Sequence, residues 1–382
     1  MKKNNIARLQ VSKTQRLGMA ELKRTVGLDL GDRASRYDII SASGEEEKEG
    51  EVATTKEALT AQFGKMAPCR IVLEVGTHSP WISRLLTALG HEVIVANPRK
   101  VKLITGNLNK HDRMDAKLLA RLGRMDPALL APIRHRGPEA QADLAVIRAR
   151  AVLVDTRTGL INAARGLTKP MGERLKSCDA DNVGESLAKG LSEATRNVIG
   201  PLLKSVEEIT QQIGEYDKKI QQIEKRYPET KVMKQVYGVG TLIALAFILT
   251  LEDAERFTDS REVGPYLGLT RKVKDSGESQ PELGITKAGD ELLRRLLVQA
   301  AHCILRRGAP DCDLRAWGMT KVEAGAKGSK RRKKRAVVAV ARKLAVLLHR
   351  LWVTGEVYDP HYNRKAAEAA QARRSAKAKT VA

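Results

Sequence analysis

Between residues 24 and 123, strand-like and helix-like segments follow one another in an order that restricts the fold more than any other feature of the chain. Apolar, β-branched runs and one polar edge segment predict strands at 25–30, 36–41, 47–54, 70–74 and 92–96. Helices are predicted at 56–65, at 80–89 and from Asn109 onwards. The order β-β-β-α-β-α-β-α is typical of a mixed sheet with helices on its faces, as in the ribonuclease-H-like fold.

Four acidic residues lie at matching positions of these elements. Asp29 belongs to the first strand and Glu74 ends the fourth, while Asp112 and Asp115 lie one turn apart on the last helix. Because strands one and four are neighbours in such a sheet, the strand acids can project into one cleft and the helix acids can face them together. Carboxylate oxygens are the ligands that Mg²⁺ prefers, and two such ions can clamp both oxygens of a phosphodiester displacement. The pattern predicts metal-dependent phosphoryl transfer on nucleic acid.

A second interpretation stays open for each acid taken singly. Acidic residues are favoured in the first turn of a helix by its dipole, here with Asn109 as the cap, and acids at strand ends are common in loops. The occurrence of four acids at matching elements favours the metal site over this alternative.

The charge balance indicates a polyanionic partner. The 382 residues include 68 Lys and Arg against 45 Asp and Glu, for a formal net charge of +23, which suits nucleic acid. The densest run of cations opens a predicted helix and consists of Lys330, Arg331, Arg332, Lys333, Lys334 and Arg335. We expect this run to contact the phosphate backbone, although a solvated charge run is the alternative. Aromatic residues make up only 3% of the chain, so base stacking is not expected to dominate recognition.

The sequence also indicates a cellular compartment. The four cysteines form no Cys-x-x-Cys pair, which argues against a zinc site and a disulfide framework. The basic extension 1–23 lacks the apolar core of a secretory signal, and no later stretch reaches about 18 uninterrupted apolar residues. We therefore expect a cytoplasmic protein that does not interact with membranes.

From Pro138 onwards the strand signals disappear, and apolar residues recur at spacings of three and four. They predict two long amphipathic helices with a coiled-coil-like seam within a connector at 136–228. Periodicity cannot name the partner of each helix, so an intramolecular hairpin and pairing with another subunit are both open.

The region 229–355 is predicted to be a second, mostly helical domain, followed by a disordered basic tail at 356–382. Gly238 and Gly240 form a turn into an apolar helix, where backbone N–H groups can hold a phosphate, although a plain tight turn is equally compatible. Ser276 lies in a polar loop among basic residues that include Lys287. It is a candidate nucleophile toward phosphorus, and a simple Ser-Gly turn is the alternative.

Eight short motifs, in order, resemble the insertion-sequence one-ten family of transposases over residues 24 to 350. They are VGLD (26–29), LEVGTH (73–78), ANP (96–98), DRMDAK (112–117), YGVG (237–240), YLGL (266–269), SG (276–277) and GITK (284–287). The resemblance implies a RuvC-like domain at 24–135 in which Asp29, Glu74, Asp112 and Asp115 form a Mg²⁺-binding DEDD set. It also implies a coiled-coil connector and a C-terminal transposase domain with an essential serine, Ser276.

The resemblance further implies partners and a reaction. Proteins of this family use a bridge RNA that pairs with donor and target double-stranded DNA, and they act as a homo-oligomer, expected here to be a tetramer built as a dimer of dimers. Their serine forms a covalent 5′-phosphoserine link. In this chain the residues before Ser276 are more charged than is usual in the family, and Ser279 lies three residues on, so Ser279 stays an alternative nucleophile.

Three functional classes follow from the sequence. The first is an RNA-guided recombinase that uses both the acids and the serine. The second is a RuvC-like nuclease or junction resolvase that needs only the acids. The third is a non-catalytic scaffold that binds nucleic acid through its basic helices.

Overall fold

The computed structural model of the chain describes residues 24–97, 112–274, 279, 281, 283–323, 330–366, 368 and 370, with only the backbone of 112–114. The chain divides into two compact units, and the boundary lies between Arg136 and Gly137. The first unit holds a five-stranded sheet, and the described part of the second is mostly helical. The prediction of a mixed α/β region followed by a helical region is confirmed.

The sheet of the first unit is mixed and has the order β3-β2-β1-β4-β5. Its strands are β1 Arg24–Asp29, β2 Ala34–Ser41, β3 Glu46–Ala53, β4 Arg70–Glu74 and β5 Glu92–Ala96. β1 pairs antiparallel with β2 and parallel with β4, so the predicted neighbourhood of strands one and four is confirmed. The more specific assignment to a RuvC-like domain stays a prediction.

Helices cover both faces of this sheet: α1 Lys56–Phe63, α2 Ser79–Ala88 and α3 Asp112–Met125. Val26 and Leu28 of β1 pack into a core with residues of α1 and α2. Because successive side chains of a strand alternate between faces, Gly27 and Asp29 lie on the opposite face, which α3 covers. A Cβ atom at Gly27 would lie only 1.8 Å from the carbonyl oxygen of Ala116, so a glycine here lets α3 approach β1 closely.

Two long helices, α4 Pro138–Thr168 and α5 Glu193–Glu224, open the second unit. They run antiparallel and pack against each other, and the Arg150 guanidinium pairs with the Asp217 carboxylate at 2.6 Å. Buried residues recur every seven positions along α5, at Ile199, Val206, Ile213 and Ile220. The two helices therefore form a hairpin within the chain, whereas a regular coiled-coil geometry stays a prediction.

The other α-helices in the described part of the second unit are α6 Thr230–Met233, α7 Thr241–Leu251, α8 Val263–Tyr266, α9 Glu291–Leu305, α10 Asp313–Glu323 and α11 Lys330–Thr354. α7 is apolar on all sides and is buried from Ile243 to Leu251, in one core with residues of α4, α5, α9 and α11. This core continues from the α4–α5 hairpin into the C-terminal helices. The predicted connector and C-terminal domain therefore share apolar packing.

The prediction of a disordered tail from residue 356 is wrong as far as residue 366. The backbone N–H of Tyr358 donates to the side chain of Gln235 at 2.8 Å, and the Arg364 guanidinium pairs with the carboxylates of Asp311 and Asp313. These partners are distant in the sequence, so composition alone did not reveal them. Residues 371–382 lie outside the described residues.

All four cysteines are free thiols in the structure. None of the helices in the described ranges is long and apolar enough to cross a membrane.

Candidate active site

Asp29 and Glu74 end two neighbouring parallel strands. The register of β1 and β4 pairs Leu28 with Leu73, so Asp29 and Glu74 occupy adjacent positions one residue further on. Both side chains are partly buried, and both lie on the face covered by α3, since Gly27 and Val72 precede them by two residues. Adjacent strands are about 4.8 Å apart, so the two carboxyl groups share one short stretch of the sheet edge.

Helix α3 brings a third acid toward this edge. The guanidinium of Arg70, at the start of β4, donates to the carbonyl of Gly123 near the end of α3 at 2.9 Å. Ala116, near the beginning of α3, lies against Gly27. α3 therefore runs opposite to β1 and β4, and its first turn points toward the ends of the strands that carry Asp29 and Glu74. Asp115, on that turn, is partly buried. The side chain of Asp112 lies outside what the structure describes.

The donor chemistry of this edge suits a hard divalent cation, because its acidic side chains supply carboxylate oxygens. Within the described part of the chain, however, no group of three His, Cys, Asp or Glu residues could hold a metal ion. The acids Asp29, Glu74 and Asp115 thus share one end of the sheet without forming a complete ligand set among themselves.

A further acid that sequence reasoning missed lies under α3. Asp38 of β2 pairs in register with Gly27, and its side chain is 3% exposed. Burial and the neighbouring Glu46 carboxylate raise the pKa of Asp38 above its ordinary value, against the opposing effect of the Lys117 ammonium. An acid inside the apolar run 37–40 was the only signal in the sequence.

His78 connects the loops that follow β1 and β4. The indole N–H of Trp81 donates to His78 Nδ1 at 3.1 Å. Because an indole nitrogen only donates, Nδ1 must accept, which leaves the proton on Nε2 to donate to Asp32 Oδ1 at 3.1 Å. This contact ties together two loops at the end of the sheet where the acids lie.

The predicted serine nucleophile, Ser276, lies outside the described residues, and Ser279 is exposed. A short antiparallel ribbon leads into and out of the segment that contains them. Its bonds run from the Lys272 N–H to the Gly284 carbonyl at 2.9 Å and from the Thr286 N–H to the Thr270 carbonyl at 2.8 Å.

Lys287 follows this ribbon in a left-handed backbone conformation with φ +55°. Its N–H donates to the carbonyl of Gly268 at 3.0 Å, and a Cβ at Gly268 would lie 2.3 Å from the backbone nitrogen of Ala288. The two segments therefore touch backbone to backbone. A left-handed conformation is unfavourable for lysine, and such strain concentrates at functional positions.

A large cavity of about 1160 Å³ lies beside Lys287 in the second unit. Six cations of α11 line it: Arg331, Lys334, Arg335, Arg342, Lys343 and Arg350. Three more, Arg261, Arg271 and Lys287, come from elsewhere in the chain. The six cations of the predicted basic run, residues 330–335, therefore lie on different faces of α11. Three of its members line the cavity, and the exposed side chains of Lys330, Arg332 and Lys333 belong to the rest of the helix surface.

The Gly238 and Gly240 turn has a structural explanation of its own. Gly238 has a positive φ of +85° and packs against Ala300 of α9. Gly240 precedes α7 with open space around its Cα, but Glu224 lies close by and accepts a hydrogen bond from Thr241 at 3.0 Å. A phosphate at this turn would face that carboxylate, so phosphate binding by these glycines stays a prediction.

Known proteins match both units of the chain. A DEDD-type model of IS110 transposases matches residues 26–170, and a model described as the transposase IS116/IS110/IS902 family matches residues 230–315. The first match spans all four predicted acids, and the second spans Ser276.

Individual relatives resemble most of the chain. The transposase for insertion sequence element IS1111A from Coxiella burnetii is 27% identical over 364 residues, which cover 92% of this chain and 95% of the relative. The transposase for insertion sequence element IS1328 from Yersinia enterocolitica is 25% identical over 303 residues, or 74% and 84% of the two chains. Together the two family models match more than half of the sequence in the expected order, and the chain belongs to the IS110 family of transposases, enzymes that cut and rejoin DNA.

Proposed function

We propose that this transposase joins donor and target DNA by a serine-dependent recombination in which Asp29, Glu74, Asp112 and Asp115 bind Mg²⁺. The observation that carries the proposal is the adjacency of Asp29 and Glu74 at the ends of two parallel strands, on the face toward which the first turn of α3 is directed. Two acids fixed by the register of a sheet keep their separation without cost at the moment of reaction.

The chain's own residues have distinct roles in this proposal. Asp29 and Glu74 supply oxygen ligands from the rigid sheet, and Asp112 and Asp115 supply them from the helix. A bound Mg²⁺ would stabilise the negative charge that develops on the phosphodiester oxygens. His78, held by Asp32 and Trp81, keeps the loops around this edge in place.

Ser276 is the proposed nucleophile in the second unit. Its Oγ attacks the phosphorus of a DNA strand, a bond forms between Oγ and phosphorus, and the bond from phosphorus to the 3′ oxygen breaks. The departing 3′ oxygen gains a proton and the serine hydroxyl loses one, so the exchange is balanced. A 3′ hydroxyl of another strand then reverses these steps and releases the serine.

The chain is expected to act with nucleic-acid partners and with further copies of itself. We infer from the family resemblance that a bridge RNA pairs with the donor and target DNA and that the protein acts as a tetramer. The net charge of +23 supports binding to nucleic acid. Nine cations and three acids, Asp313, Glu356 and Asp359, line the cavity of the second unit, and the excess of cations provides one surface for phosphate contacts.

The decisive experiment measures strand exchange on paired donor and target DNA, with RNA binding followed in parallel. Glu74→Gln and Ser276→Ala should each lower strand exchange by about 10³-fold or more, because each removes an interaction of several kcal/mol in the transition state. Glu57→Gln, an exposed acid of α1, is the matched control and should leave the rate unchanged.

Each alternative has its own outcome. If Ser276→Ala still cleaves DNA while Glu74→Gln does not, the nuclease interpretation replaces the recombinase. If Ser279→Ala is the inactive serine variant, the nucleophile is reassigned. If neither acid nor serine matters, the scaffold interpretation stands.

A further inference from the structure

The cavity of the second unit contains aromatic side chains as well as cations. Trp317 of α10 and Tyr358 and Tyr362, which follow α11, all line it. In a chain with only 3% aromatic residues, three rings in one cavity are a concentration that the sequence did not suggest, since Trp317 lies 41 positions before Tyr358. Tyr362 is 51% exposed, so its ring is accessible.

Cations lie against these rings. The Lys343 ammonium is 4.1 Å from the centre of the Trp317 ring and the Lys321 ammonium is 5.7 Å from it. The Arg350 guanidinium is 4.8 Å from the centre of the Tyr362 ring. Burial and the nearby Lys321 ammonium lower the pKa of Lys343, so an anion that entered here would relieve repulsion between like charges.

We propose that this cavity binds an unpaired stretch of DNA, with bases stacked on Trp317 and Tyr362 and phosphates held by the surrounding lysines and arginines. The proposal rests on the proposed function, because strand exchange requires DNA strands to separate from their partners. It adds a binding site, the cavity of the second unit, and a state of the DNA substrate, the unpaired strand.

The combination of charge and apolar surface selects this occupant. A duplex hides the flat faces of its bases and exposes only their edges in the grooves, so its bases cannot stack on Trp317 or pack flat against the apolar lining at Leu269, Ile285 and Leu347. An unpaired strand presents both flat π-faces and phosphates, and base–aromatic stacking is tolerant of sequence. Ligand pockets of about 300–1,000 Å³ hold a drug-sized molecule, so about 1160 Å³ leaves room for at least one nucleotide.

The cavity also lies next to the ribbon that carries the proposed nucleophile. Arg271 of the ribbon and Lys287 beside it both line the cavity, and the chain between the two arms of the ribbon includes Ser276. A strand bound here would therefore be held beside the two arms of the ribbon, and Ser276 lies between these arms in the sequence.

The test is equilibrium binding of the full chain to a fluorescently labelled single-stranded DNA of about ten nucleotides, a length within the usual site size. The buffer contains EDTA, so cleavage does not contribute. Tyr362→Ala should weaken binding by about fivefold or more, the lower end of the stacking effect, and Tyr362→Phe should restore it. Binding of the same sequence as a duplex should change less than about twofold in both variants.

Tyr216→Ala is the matched control. Tyr216 carries Lys219 at 5.0 Å from its ring, but it lies on α5 and is not part of the cavity lining, so this variant should bind like the wild type. Trp317→Phe, which keeps an aromatic ring within the packed core, should retain at least part of the affinity.

Three outcomes overturn the proposal: no loss in Tyr362→Ala, an equal loss for single strand and duplex, or tighter binding of the matching single-stranded RNA than of the DNA. The result is independent of catalysis, since Glu74→Gln and Ser276→Ala should bind the labelled strand normally. If those two variants lose strand exchange while Tyr362→Ala binds normally, this inference fails and the proposed function survives. If Glu74→Gln and Ser276→Ala keep strand exchange while Tyr362→Ala loses binding, the proposed function fails and the single-strand site survives.

Discussion

The acidic edge of the first unit and the basic cavity of the second are built in opposite ways. At the acidic edge, Asp29 and Glu74 are held by the hydrogen-bonded register of two strands, and each is the last residue of its strand. In the basic cavity, the lining comes from a long helix, a ribbon and a chain segment that folds back after α11. A site set by sheet register can be read from a short sequence pattern, whereas a site set by the docking of distant segments cannot.

The largest expected effect tests whether the acidic edge depends on the close approach of α3. Gly27→Ala would place a methyl group 1.8 Å from the carbonyl oxygen of Ala116 and 2.6 Å from the backbone nitrogen of Ala120, and neither atom belongs to a flexible side chain. We expect the free energy of unfolding, measured in urea, to fall by about 3 kcal/mol or more, and strand exchange to be lost with the shift of α3.

Gly76→Ala provides the control for this change. Gly76 lies in the loop after β4, and its added Cβ would meet no atom within 4 Å. We expect its stability to stay within about 0.5 kcal/mol of the wild type. A wild-type stability for Gly27→Ala would show that α3 does not need its present position.

The second prediction concerns the basic cavity and uses the division of the cationic run by helix face. Changing Arg331, Lys334 and Arg335 together to Gln removes three cations that line the cavity. The slope of log K against log salt for single-stranded DNA should become shallower by about 2, because each lost phosphate contact contributes about 0.7.

The control triple, Lys330, Arg332 and Lys333 to Gln, removes the same charge from exposed positions of the same helix turns. Its effect on the slope should be clearly smaller. Equal slopes for the two triples would mean that the general field of the protein, rather than the cavity, attracts the strand.

The contrast between the two regions also explains how far the sequence predicts this protein. β4 at Arg70–Glu74 and β5 at Glu92–Ala96 have the predicted bounds, and α7 at Thr241–Leu251 is the apolar helix predicted after Gly240, because continuous apolar runs between turn residues define them locally. The pairing of β1 with β4, and with it the adjacency of Asp29 and Glu74, followed from the order of elements.

Features that depend on contacts between distant residues were missed. The segment after residue 355 has the composition of a disordered tail, but Arg364 binds Asp311 and Asp313, which lie about fifty positions earlier. The same folding back brings Tyr358 and Tyr362 into one cavity with Trp317. A count of aromatic residues does not record that these three rings line the same cavity.

The third prediction asks whether Asp38 is part of the acidic site or a buried structural acid. The raised pKa of Asp38 means that its proton is bound more tightly in the folded state than in the unfolded state, where the ordinary value is 3.8. The free energy of unfolding should therefore fall as pH rises from about 3.8 through the raised value. Asp38→Asn keeps the shape, removes this dependence and should raise stability at pH 7 by on the order of 1 kcal/mol.

Strand exchange measured with the same variant separates the two roles. If the role of Asp38 is structural, Asp38→Asn should retain most of the strand-exchange activity. A loss of strand exchange comparable to that of Glu74→Gln would add Asp38 to the acids of the site. If the stability of Asp38→Asn depends on pH as that of the wild type does, another group causes this dependence.

The smallest expected effect measures the strain held beside the basic cavity. Lys287 has φ +55°, a conformation that costs an L-residue about 1–2 kcal/mol and that glycine adopts freely. Lys287→Gly should relieve this strain, but glycine also gives the unfolded chain more conformational freedom, which lowers stability. The net free energy of unfolding, obtained from the urea midpoint, should rise by at most about 1 kcal/mol. Lys272→Gly, at an exposed lysine of the same ribbon without a positive φ, should instead lower stability by about 0.5–1 kcal/mol. If Lys287→Gly raises stability, Lys272→Gly lowers it and Lys287→Gly also binds DNA more weakly, the chain tolerates a strained backbone in order to hold one cation at the cavity. If both variants lower stability, the backbone of Lys287 is not strained, and Lys287 contributes to the cavity only through its charge.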